Sequence, residues 1–223
     1  MLDQLATNPL GFLFWLIALV VAITIHEFSH AYAADRLGDP TPRLQGRLTL
    51  NPLAHLDPLG TLMLLIARFG WGKPVVFDPF NLRHPRRDAA IISFAGPLSN
   101  LIMATFCAVL LQILLQYRLA LLGNSLGIAV YALMGMLRPI IILNVVLAIF
   151  NLVPIHPLDG FKIVGGILPK EYAQQWYELE PYGMIFLIFL IFPIFGGSSP
   201  ISNIISPIIN AILSILLPSA SFI

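Results

Sequence analysis

His26, Glu27 and His30 stand in the spacing H-E-x-x-H, with Phe28 and Ser29 between them, near the end of an apolar run that begins about Leu10. On a helix, residues four apart share a face, so both imidazoles can aim at one metal ion while the glutamate beside them handles protons. The chemistry served by that spacing is zinc-assisted hydrolysis. An ionisable side chain in hydrocarbon costs a few kcal/mol or more unless it is paired or coordinated. Three such side chains within five residues therefore point to a function.

The surroundings of the motif follow from composition. A chain of 223 residues that is 58% hydrophobic and only 10% charged, with a mean hydropathy of +0.87, reads as an integral membrane protein. Its net charge of +1 gives no sign of nucleic acid as a partner, and nothing in it fixes an oligomeric state. Cys107 is the only cysteine, so no internal disulfide can form; its apolar neighbours suit either a lipid-facing or a packed position. Ala31-Tyr32-Ala33 after an apolar run resembles a signal-peptide cleavage site. Against that, no Lys or Arg precedes the run, and cleavage after Ala33 would discard both histidines. The segment is expected to be an uncleaved first spanning helix, about 8–36.

Apolar runs long enough to cross about 30 Å of hydrocarbon follow at about 88–116 and 127–153. Shorter runs lie at 181–196 and at 200–218, the latter containing Pro200 and Pro207. Segment 58–70 is too short to span and is expected to be re-entrant or interfacial. The expected architecture is an all-α polytopic bundle of about 4–6 membrane segments, with a short re-entrant β-hairpin near the active site. It forms one domain over 1–223, with a core about 9–165 and accessory C-terminal segments about 181–218. No stretch is polar enough to fold a separate soluble domain.

Arg36, Arg43, Arg47, Arg68, Lys73, Arg83, Arg86 and Arg87 all fall between the first two long runs. Cytoplasmic loops collect Lys and Arg. With that loop inside, Arg118 lies outside, Lys162 and Lys170 return inside, and Arg138 is left in mid-helix, as a functional charge or one paired within the bundle. At 1.5 Å per residue, His30 then lies about 9 Å and His26 about 15 Å inward of Arg36. The expected location is a prokaryotic cell membrane, multi-pass, with the active site toward the cytoplasmic side.

A catalytic zinc usually takes three protein ligands and leaves a fourth position for water. The remaining histidines are His55, His84 and His156. Asp159 is the better candidate, with His156 a competitor. It closes the segment Asn151-Leu152-Val153-Pro154-Ile155-His156-Pro157-Leu158-Asp159-Gly160, where two prolines must stop the preceding helix and Gly160 permits a tight path. That irregular segment enters at membrane depth from the same side as His26 and His30.

H-E-F-S-H in a spanning helix, together with N-L-V-P-I-H-P-L-D-G downstream, resembles the site-2 protease family of intramembrane zinc metalloproteases. The stretches R-L-T-L-N-P-L-A-H-L-D-P-L-G-T, G-W-G-K-P-V and F-A-G-P-L-S-N resemble its compact prokaryotic branch, which carries no PDZ or CBS module, over about residues 20–165. The resemblance implies one Zn2+ held by His26, His30 and Asp159, with Glu27 as the catalytic acid/base. It implies an assisting role for Asn151, at the site or on the substrate backbone. It also implies transmembrane proteins of the lipid bilayer as substrates, cut in or near their membrane segments. Val76-Phe77-Asp78 after the Lys-Pro-Val stretch departs from the Pro and Asn the family often carries there.

Such a substrate must be unwound before its backbone reaches zinc, and an edge strand could hold it open. Residues 43–50 alternate, with Leu44, Leu48 and Leu50 opposite Gln45, Arg47 and Thr49, and are expected to form that strand or a structural hairpin. Asn100 is a further candidate for active-site support, or for interhelical hydrogen bonding. His55 and Asp57 suit the closing of a turn, and His84-Pro85-Arg86-Arg87 an interfacial anchor on anionic lipid. Two other classes keep the same metal site: a metal transporter, which needs a polar path through several helices, and a catalytically silent scaffold, which has no use for Glu27.

Overall fold

The computed structural model describes residues 7–67, 71–117, 127–193 and 199–217. Helix α1 spans Pro9–Leu37, capped by Asn8, whose Oδ1 accepts from the Gly11 amide at 2.9 Å, with proline at the first helical position. Then come a short helix α2 (Thr41–Leu44), α3 (Pro58–Ala67), α4 (Pro85–Gln116) and α5 (Gly127–Asn151). The later helices are α6 (Asp159–Ile167), α7 (Lys170–Tyr177), α8 (Glu180–Ile191) and α9 (Pro200–Leu216), and single 3-10 turns lie at Pro52–Ala54 and Pro79–Asn81.

Three helices, α1, α4 and α5, are long and apolar enough to cross a membrane, with mean hydropathies of 2.2, 2.1 and 2.2. They pack against one another as the centre of the fold. The seams are lined by buried Ala18, Ala22, Ala104, Ala108 and Ala148, small residues that let backbones approach where water supplies no driving force. Ile141, Val145, Leu111 and Cys107 continue this core toward Leu187 of α8 and Ile201, Ile205 and Ile209 of α9. Cys107 is thus a packed residue. The opposite face of α4 exposes Ile102, Phe106 and Val109, as a helix in lipid does. The protein is an all-α membrane protein.

Several expectations are corrected. Among the described residues there is no strand and no β-hairpin, only an isolated antiparallel bridge between Leu56 and Gly72. Residues 43–50 are not an edge strand: buried Pro42 anchors the α2 turn, Gly46 at φ 69° redirects the chain, and Leu44 and Leu50 are exposed. Arg47, placed on the polar face by alternation, is the buried one, donating to the carbonyls of Ala54 and Lys73. Arg86 donates to Leu168 O at 2.6 Å and ties α4 to the end of α6. Helix α4 begins at Pro85 rather than 88 because the Asp88 carboxylate accepts from the His84 amide at 2.8 Å and closes the first turn. The two C-terminal apolar segments form helices of 12 and 17 residues, shorter than a span. Arg68 and Arg118 lie outside the described residues, as do 194–196 and 218 of the expected C-terminal segments.

Candidate metal centre

His26 and His30 project from adjacent turns of α1, their rings edge to face with centroids 4.6 Å apart. Asp159, the first residue of α6, meets them from below α5: its Oδ2 lies 3.1 Å from His26 Nε2 and 3.3 Å from His30 Nε2. The close approach depends on Gly160, where a Cβ would run into the carbonyls of Leu152 and Val153. The chain can therefore double back beneath the end of α5 and start a new helix pointing at α1.

A backbone carbonyl and a side-chain amide oxygen fix the chemistry of the two imidazoles. His30 Nδ1 lies 2.7 Å from Ile92 O, an atom that can only accept, so Nδ1 carries the proton and Nε2 keeps its lone pair. His26 Nδ1 lies 2.6 Å from the amide oxygen of Asn100, with the same consequence. Two imidazole lone pairs and a carboxylate oxygen thus converge, both histidines buried, and Asp159 Oδ2 finds no hydrogen-bond donor among the described residues. Three acceptors facing one another away from water call for a cation between them.

Zinc fits the donor set. Two ligands about 2.0–2.1 Å from a tetrahedral zinc stand about 3.3–3.4 Å apart, close to both measured separations to Asp159, and the three ligand atoms lie within 4.8 Å of one another. Gly96 of α4 completes the cradle: a Cβ there would fall on His30 Nε2 and beside His26 Cε1. A second hydrogen bond on the far ring nitrogen, as His26 and His30 both have, is the usual means of fixing ring orientation in zinc sites.

Glu27, the residue after His26, accepts from the Val75 amide through its Oε2 at 2.9 Å. Val75 belongs to an extended segment that is pinned by Lys73 N donating to His55 O at 2.8 Å and by Arg47. Farther along, Asp39 receives Thr41 N and Oγ1, Asp78 N and Asn81 Nδ2. Burial pushes the Asp39 carboxyl up, but these donors together outweigh it and hold the group below the usual carboxylate range.

The other candidates are placed as follows. Asn100 is fully buried and bonds His26, Ala22 O and Asn144. Asn151 donates to Leu147 O one turn back at 3.0 Å. His55, fully buried, bonds Thr49 O at 2.7 Å, and Asp57 caps α3 through Gly60 N at 2.7 Å. His156 lies 3.6 Å from Glu180 at the start of α8 and is not among the three converging groups. Asn144 and Gly96 were not singled out from the sequence. The signal for Asn144 was available, since a buried amide in an apolar helix needs a partner.

The fold and the site define a helical membrane protein with a His–His–Asp cluster, its histidines buried, beside a glutamate. Relatives bear zinc-metalloprotease names: YwhC of Bacillus subtilis is 38% identical over 213 residues, covering 94% of this chain and 92% of YwhC. Rip2 of Mycobacterium tuberculosis is 30% identical over 177 residues, 77% of this chain and 63% of Rip2. MJ0392 of Methanocaldococcus jannaschii is 26% identical over 164 residues, 72% of this chain and 37% of MJ0392. No family profile and no solved structure matches. The chain belongs to the site-2 protease family of zinc metalloproteases, and it is a protease.

Proposed function

We propose that the chain is an intramembrane zinc endopeptidase that hydrolyses peptide bonds in or near the transmembrane segments of other membrane proteins. The observation that carries this reading is the convergence of His26 Nε2, His30 Nε2 and Asp159 Oδ2 as three facing acceptors inside a membrane helix bundle. His26, His30 and Asp159 hold one zinc ion, and Asp159 offsets part of its charge. Zinc, when bound, supplies a Lewis acid that brings the pKa of a bound water toward 7 and polarises a scissile carbonyl. Glu27 would be the residue that accepts a proton from the attacking water and donates it to the leaving amine. The Val75 amide holds one oxygen of Glu27, leaving the other for proton transfer. Asn151 assists at the substrate backbone.

The reading extends to the bilayer. Taking α1 as a ruler, Glu27 lies about 15 Å below Leu37, and the backbone of Gly72 runs beside Ile23 and Glu27. Helix α3 and the stretch 71–75 beside Glu27 support a re-entrant element after α1, and α8 and α9 are proposed as embedded without each crossing, for 4–6 membrane segments in all. The whole chain acts as one domain, its site opening to the cytoplasm. Glu27→Gln tests the assignment: cleavage of an unwound model transmembrane substrate should fall by about 10²–10⁴-fold, with zinc retained at one per chain by elemental analysis. Undiminished cleavage would remove Glu27 from the chemistry, and loss of zinc would make it a ligand.

A further inference from the structure

We infer that Asn144 is a positioning residue for the metal centre: acting through Asn100, it fixes which nitrogen of His26 carries the proton and so presents the Nε2 lone pair to the ion. This rests on the reading of His26 as a zinc ligand. Two backbone oxygens, which can only accept, set the orientation of both amides. Ala22 O lies 3.0 Å from the Asn100 amide, so the atom facing it is Nδ2, and the oxygen must face His26. Ile140 O lies 2.8 Å from the Asn144 amide, so that atom is again Nδ2, and the Asn144 oxygen must face Asn100 Nδ2, at 2.7 Å.

The polarity of the relay is thus set at both ends, from α5 through α4 to the ligand on α1. Were the Asn100 amide reversed, its NH2 would face His26 Nδ1 and the imidazole would be protonated on Nε2, the nitrogen that zinc needs. Asn144 opposes that reversal, because its oxygen would then face the Asn100 oxygen. Both asparagines are 0% exposed, so an unpaired amide there cannot turn to bulk water. Binding of the ion is thereby coupled to the seating of α5, the helix that also leads into the Asp159 segment.

The test is zinc affinity of the full chain in detergent, measured by chelator competition alongside the thermal midpoint of the zinc-free protein. Asn144→Leu should bind zinc about 10–100-fold more weakly, whereas Asn144→Asp, whose carboxyl oxygen still accepts from Asn100, should stay within about threefold of wild type. Ile141→Ala, which loosens the same helix without touching the relay, should lower the thermal midpoint and leave zinc affinity unchanged. Asn144→Leu binding zinc as wild type, or losing no more than Ile141→Ala, would overturn the inference. Should Asn144→Leu not fold, ¹⁵N-histidine spectra of the zinc-free wild type decide: His26 protonated at Nδ1 supports the relay, and at Nε2 overturns it. His26→Ala separates the two levels. If it retains zinc, the ligand reading fails; if it loses zinc while Asn144→Leu does not, only the relay fails.

Discussion

A single hydrogen atom decides whether the cluster can close around an ion, and Gly96 is where it sits. The Gly96 Hα side faces His30 Nε2 and His26 Cε1, and a methyl in its place would overlap the imidazoles. The rings cannot yield by a small shift, since each is held from behind, by Ile92 O and by Asn100. Gly96→Ala should therefore reduce zinc affinity by at least about tenfold, as disturbed ligand geometry does, and add about 1–3 kcal/mol of overpacking. Zinc titration against the thermal midpoint of the zinc-free variant checks both, and a variant with wild-type affinity would move the ion away from Gly96. At this scale His26, Glu27 and His30 were legible because helical spacing alone puts them together, and Asp159 because two prolines and a glycine force the chain to break there. Gly96 and Asn144 were not, because their work depends on which atoms of other helices they meet, and spacing along one helix does not carry that.

Among the elements, the extended segment that reaches Glu27 has little regular structure of its own and depends on side chains to stay in place. Asp39 anchors its far end through Asp78 N at 2.7 Å and Asn81 Nδ2 at 2.8 Å. Its carboxyl is held below the ordinary range in the folded state. The sign follows: a depressed folded pKa gives stability that is complete above the unfolded value near 4 and is lost as pH falls through the folded one. Asp39→Asn keeps one acceptor and turns its NH2 toward a donor. It should cost about 1.5–3 kcal/mol near pH 7, with the difference from wild type shrinking below about pH 4. Thermal midpoints in detergent from pH 7 to 3 read this directly, and a pH-independent difference would assign the loss to packing. The long helices were legible to within three residues at their starts and two at their ends, because apolar length is an intrinsic signal. The strand at 43–50 was misread because alternation of Leu with polar residues also arises in a turn whose one buried side chain, Arg47, bonds carbonyls.

For the whole molecule the decisive question is which face of the membrane the cluster opens to, and the distribution of charge argues it. Arg36 lies in the last turn of α1 and Arg43 follows it, Arg83, Arg86 and Arg87 precede or open α4, and Lys162 and Lys170 follow α5. All of these belong to the end of the three-helix core from which Asp159 returns, and the positive-inside rule supports the proposal that this end faces the cytoplasm. Toward the far end, where α1 begins and α5 starts, Arg138 of α5 lines a pocket with Gly11, Phe14 and Trp15 of α1, so among the described residues the cations are fewer there. The chain offers a clean way to check this, since Cys107 is its only cysteine and is packed in the core. In a Cys107→Ser background, Gln45→Cys, exposed just beyond α2, should react with a membrane-impermeant maleimide only when the cytoplasmic face is opened. Ile128→Cys, 87% exposed near the start of α5, should react, if at all, only from the outside. The reverse pattern would turn the protein over and place the hydrolytic site on the opposite side. Cytoplasmic substrates would then be out of reach, while the local chemistry of His26, His30 and Asp159 would stand.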